Sequence, residues 1–257
     1  MRLGNVRMTW IETPPPTNVL CAHGDFNWYR LHSGAFHDSA GFDLHVRTTI
    51  RSFYSYIESG AIRVGDDVVE IERDQLFLNG EKHTIKDLPL TFGEKFEYNI
   101  SLIKDEEDRR IFRIFLSQRS KIIFHYYKHF GFIKVTGDAR DLADSVGLLG
   151  DFPLGNMYAR DGSLMSNFEE FAFEWQVNPI KDDPTLFREN RAPQLPNEKC
   201  RMPNESRPAR ARALRAQKKD VEAATRACAD AGQEGKNFDL CVDDIIFTGE
   251  VGLAEAW

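Results

Sequence analysis

Cysteine is scarce in this sequence: four residues in 257, at Cys21, Cys200, Cys228 and Cys241, with no Cys-x-x-Cys pair. So few exclude a small disulfide scaffold, and their spacing supports neither a zinc ribbon nor a thioredoxin-type redox pair. No apolar run approaches the roughly 18 residues of a membrane span. The N-terminus lacks the apolar core and small-residue cleavage site of a secretory signal. Basic residues number 33 against 40 acidic, a net charge of -7, which argues against nucleic acid as the main partner. Missing as well are GxSxG, HExxH, P-loop and GxGxxG motifs. The pairs Asp66-Asp67, Asp182-Asp183 and Asp243-Asp244 lack EF-hand spacing. What remains is 42% hydrophobic and 28% charged, ordinary for a globular chain. A chain of this length buries roughly three quarters of its unfolded surface without needing staples.

What is present, from about residue 17 to 137, is a period of two. Leu44, Val46, Thr48 and Ile50 alternate with His45, Arg47 and Thr49, as a half-buried strand requires. Val69 and Ile71 alternate with Glu70 and Glu72, Ile122, Phe124 and Tyr126 oppose Ile123, His125 and Tyr127, and Ile133 and Val135 flank Lys134. Turn signals separate these runs: Gly65-Asp66, Gly93-Glu94, the charged stretch 104–108, and Asn79-Gly80, which suits a two-residue hairpin with positive φ. The spacing predicts a mostly β protein, an antiparallel β-sandwich.

The stretch 138–177 differs. Its glycine-punctuated first half reads as a structured loop, and Phe168, Phe171, Phe173 and Trp175 then return to the core on a short strand or helix. Residues 178–208 carry six of the eleven prolines, which predicts an extended connector pinned to the surface. Beyond it the composition turns helical. Asp220 is placed as an N-cap, Val221, Ala224, Ala227 and Cys228 share a face, and Gly232 is a stop. Phe238, Cys241 and Ile245 continue at helical spacing, with Val242 and Ile246 beside them, and GLAEAW forms a last turn. The expected organisation is a linker or extension at 1–16, a sandwich at 17–180, and a proline-rich connector with a small helical C-terminal cap at 181–257. Seven basic residues against one acidic between Arg201 and Lys219 fit a solvated helix face or an anion or polysaccharide contact.

The four cysteines allow three pairings. Cys228–Cys241, neighbours in the helical tail, and Cys21–Cys200, tying the tail to the first strand, are the favoured pair; buried free thiols in a reducing compartment are the alternative. Sequons stand at Asn99 and Asn204. Without a leader the chain is either intracellular or an excised part of a longer precursor, and Pro14-Pro15-Pro16, a stiff linker, favours the latter. Cys21, His23 and Asp25 alternate on one presumptive strand face. Such neighbours lie about 6.5–7 Å apart, beyond hydrogen-bond reach, so a structural His23–Asp25 role outweighs a nucleophile or metal site.

Several segments fall in a familiar order: HGDFNW (23–28), GFDLHVRTTI (41–50), SYIESGAIRVGDDVVEIE (55–72), LNG (78–80), FGFIKVTG (130–137), SVGLLGDFPLG (145–155), ARDGSLM (159–165) and FAFEWQV (171–177). Over about residues 17–180 the chain resembles a von Willebrand factor type D domain, in a cysteine-poor form. Val146 and Leu149 stand at the cysteine positions of that family's CGLCG loop, so its thiol-exchange role is not expected. The resemblance implies an extracellular or cell-surface structural, adhesion or assembly module. It would act through contacts with other extracellular proteins or further modules of the same precursor, without catalysis. It implies structural roles for His23, Asp25, Gly147, Gly150 and Trp175. No cofactor is expected except a possible calcium ion at Asp151 and Asp161, an eroded site because a hard cation wants six or more oxygens. Two rivals remain: a carbohydrate- or ligand-binding sandwich with Trp28, Tyr29 and Tyr54 as a platform, and a hydrolase or metalloenzyme around His23 and Asp25.

Overall fold

The computed structural model describes residues 24–31, 42–51, 54–93, 97–127, 130–137, 139–142, 145–151, 156–177, 185–189, 218–249 and 251–255. Among the described residues are twelve strands: β1 Gly24–Leu31, β2 Phe42–Arg51, β3 Tyr54–Val64, β4 Asp67–Glu72, β5 Gln75–Leu78, β6 Glu81–His83, β7 Leu90–Phe92, β8 Tyr98–Glu106, β9 Arg109–Phe115, β10 Lys121–Tyr127, β11 Phe130–Thr136 and β12 Ser145–Val146. Four helices are described: α1 Ala139–Leu142, α2 Phe168–Glu174, α3 Lys218–Asp230 and α4 Gly235–Thr248, with a 3-10 turn at Val251–Glu255. The protein is mostly β, every strand pairing described is antiparallel, and the longer helices gather at the C-terminus.

β3 is the fork of the sandwich. One edge pairs with β2 along the strand; on the other, Gly60–Val64 pair with β4 while Ile57 pairs with Gly131 of β11. One layer therefore runs β12-β1-β2-β3 and on into β4-β5-β6, and the other runs β11-β10-β9-β8-β7. The layers close over a shared core. Phe42, Leu44, Val46, Ile62, Val69, Ile71 and Leu76 come from the first, and Ile100, Phe112, Ile114, Ile122, Phe124 and Val135 from the second. The buried Tyr126 hydroxyl crosses between layers to donate to the Ile71 carbonyl at 2.6 Å. The approach is closest at Gly60, where an added Cβ would lie 2.3 Å from the Phe124 ring and 2.8 Å from Ile133. Only glycine leaves room there.

The reversals use the predicted residues. Asn79 and Gly80 both take positive φ, as the β5–β6 turn requires. The Asn79 side chain also locks the neighbouring β3–β4 turn, accepting from Val68 N–H and donating to the Asp67 carboxylate. Residues 168–174 form a helix, and Phe171 and Trp175 are 1% exposed in the core. In the tail, α3 begins at Lys218, so Asp220 lies within its first turn and is not the N-cap. Gly232 ends α3 in a left-handed conformation, with Gln233 N–H returning to the Cys228 carbonyl. Ala224, Cys228, Cys241, Ile245, Leu253 and Ala254 make a second apolar cluster, with Tyr127 of β10 packed against it. The cap is fastened to the sandwich by a buried Arg109 paired with Glu255, and by the Tyr127 ring against Gly252.

Candidate functional site

The polar side of β2 departs from the half-buried pattern read in the sequence. Asp43, His45 and Arg47 are 4%, 0% and 6% exposed, as buried as the apolar residues they alternate with. The cover comes from the connector. Thr185–Glu189 crosses this outer face as a strap, with Phe187 at 4% exposure. Its backbone N–H at Leu186 donates to His45 Nδ1 at 3.3 Å, so that nitrogen carries no proton. Arg47 stands 4.2 Å from the Phe187 ring centroid and donates to the Glu189 carbonyl. Arg188 donates through its backbone N–H (3.0 Å) and its Nε (3.2 Å) to Glu70, and its guanidinium lies over the Phe77 ring.

The sheet register explains why these groups meet. Ala61 of β3 stands between His45 of β2 and Glu70 of β4, and Phe77 of β5 lies opposite Glu70. Small Ala61 separates the His45 imidazole on one side from the Glu70 carboxylate on the other. The end of the row is closed by the Asp43–Arg63 ion pair. A buried carboxylate without a partner is strongly unfavourable, so Glu70, whose side chain is 4% exposed, needs what Arg188 supplies. Asp25, singled out in the sequence, pairs with Arg47 in the β1–β2 register.

The loop before the Phe/Trp segment is built separately. Gly147 and Gly150 adopt positive φ, and Gly150 N–H donates to the Gly147 carbonyl at 2.9 Å. Asp151 accepts from both the backbone N–H and the side-chain amide of Asn156, and its own N–H returns to the Asn156 carbonyl. Both carboxylate oxygens are thus engaged by one residue. Asp161 lies in a second turn, accepting from Ser163 Oγ and Ser163 N–H, which hold its pKa below the usual carboxylate value. Beneath this turn the indole N–H of Trp175 donates to the Tyr158 carbonyl at 2.9 Å, and Arg160 stacks 4.9 Å from its ring.

Among the described residues no group of three or more His, Cys, Asp or Glu is placed to hold a metal ion. A cavity of about 50 Å³ opens at the β8–β9 turn, lined by Arg73, Glu107, Asp108, Arg109, Arg110 and Tyr126. Its charges pair locally, Arg110 with Asp105, and it holds one or two waters at most. Cys228 and Cys241 are joined by a disulfide inside the cap. Asn99 is half-buried on β8, between Thr91 and Phe115. Trp28 and Tyr29 fall on β1, and Tyr54 opens β3. Cys21, His23, Cys200 and Asn204 lie outside the described residues.

Arg47, Glu70, Phe187 and Arg188 carry no local mark of a shared site. Each sits in a pattern with an ordinary local reading, and their partners are 118 to 142 residues away. The one signal available was the concentration of prolines in the connector, which marked it as surface-pinned without saying where. Compared with known proteins, the sequence matches no family model and no curated protein. No described helix is long and apolar enough to cross a membrane.

Proposed function

We propose that this chain is a cysteine-poor module of the von Willebrand factor type D kind. It acts outside the cell or on its surface as a structural, adhesion or assembly unit, through protein–protein contacts and without catalysis. The observation that carries the reading is the Cys228–Cys241 disulfide at the centre of the cap, because such bonds persist in oxidising compartments and are rare in reducing ones. The antiparallel sandwich supports it, as does the order of the glycine-turn loop, the Asp161 turn and the Trp175 segment along the chain. The buried charges of the strapped face are spent on holding the chain to itself, which suits a rigid unit whose work is done at its surface.

Mass-spectrometric disulfide mapping of native material, with intact-mass glycan analysis, tests this. The expected result is an oxidised Cys228–Cys241 pair and glycan at Asn99 or Asn204. Four free thiols and no glycan would refute it.

A further inference from the structure

The face beneath the strap is more selective than a cover would need. An apolar face accepts any apolar segment, whereas this one presents His45, Arg47 and Glu70, all buried, to three features of a particular sequence. Glu70 takes the N–H and guanidinium of Arg188; Arg47 takes the ring of Phe187 and the Glu189 carbonyl; His45 takes the Leu186 N–H. Aromatic and arginine side chains dominate peptide and protein interfaces; here the Phe187 ring is buried, and the Arg188 side chain, itself 36% exposed, reaches a buried carboxylate. A segment lacking the arginine would leave a carboxylate buried and unpaired, so mismatched sequences are rejected and not merely held less well.

We propose that the outer face of β2–β5 is a sequence-selective binding site for a Leu-Phe-Arg segment, filled in cis by residues 185–189 and able to accept the same segment of a second copy. None of the contacts depends on the strap belonging to the same chain, and exchange of an identical element is a low-cost route to linked protomers. The cis arrangement has the advantage of tethering, on the order of millimolar effective concentration. Exchange therefore takes over where copies are crowded or the cis strap is weakened. The proposal supplies a contact surface for the assembly reading above and rests on that reading only for its setting.

The test is fluorescence anisotropy with a labelled peptide of residues 184–190, titrated into the full chain carrying Phe187→Ala and Arg188→Ala. These changes empty the site and leave its walls intact. Saturable binding is expected, at least about tenfold tighter than to the wild-type chain, whose own strap competes. A further Glu70→Gln change weakens it about tenfold or more, as does a peptide with alanine at the Phe and Arg positions. No binding, or binding indifferent to Glu70→Gln and to peptide sequence, overturns the proposal. Should the double variant not fold, wild-type chain is incubated with excess unlabelled peptide, and hydrogen exchange of the Leu186 and Arg188 amides is followed. Displacement accelerates both, and unchanged exchange at millimolar peptide overturns the proposal. Disulfide and glycan mapping is independent of all these readouts, so failure here and failure of the module reading are told apart.

Discussion

Acidification to pH 5 destabilises this fold through one imidazole on the outer face of the second layer. His125 of β10 has its Nδ1 buried without a hydrogen-bond partner. Burial, with smaller contributions from Lys134 and Arg109 and an opposing one from Glu255, pushes its pKa down from 6.5 to about 4. A histidine whose folded pKa lies below its unfolded one favours the folded state fully above pH 6.5, and that contribution fades as pH falls, vanishing below about pH 4. The whole shift corresponds to about 3.4 kcal/mol, of which about 2 kcal/mol is lost between pH 7.5 and 5. Urea denaturation of wild type and His125→Gln at both pH values measures it. Wild type is expected to lose about 2 kcal/mol more than the variant over that interval. Carboxylates such as Glu255, whose pKa is lowered chiefly by its hydrogen bond to Arg109, affect both proteins alike and titrate at lower pH. Equal pH dependence in the two proteins would refute the reasoning.

Three further outcomes can be checked. Gly60→Ala drives a methyl into the Phe124 ring and Ile133, and a loss of about 1–3 kcal/mol, or failure to fold, is expected in thermal melts. Cys228→Ser opens a link across 13 residues and costs about 3 kcal/mol in chain entropy, concentrated in the cap, where amide exchange of α3 and α4 should accelerate before that of the strands. Because Asn156 occupies both Asp151 oxygens, millimolar calcium or chelator is expected to leave the melting temperature unchanged, and a rise of several degrees with calcium would show a filled site.

Much of the layering was legible in the chain. Leu44, Val46, Ile122, Phe124, Tyr126 and Val135 all point into the core as their alternation requires, since side chains of a strand have no other way to divide between two faces. Asn79-Gly80 and Gly232 were legible for a similarly local reason: positive φ is cheap for few residues. His45 and Arg47 show the limit. Their alternation placed them correctly opposite the core, yet polarity suggested water where the structure has Phe187 and Leu186. Glu70 and Arg188 carry complementary charges that no local pattern links.

The main alternating strands, several of their reversals, the inward face of each such run and the helical tail were readable from the chain alone. Those are properties of neighbouring residues and their dihedrals. That β3 forks between two layers, that the cap locks onto Arg109 through Glu255, and that the connector lies across β2 emerge only in the folded chain. These depend on pairing between residues far apart in the chain, where the energy of a matched charge or ring exists only once the fold has brought the partners together and buried at least one of them, such as Arg109, Glu70 or Phe187.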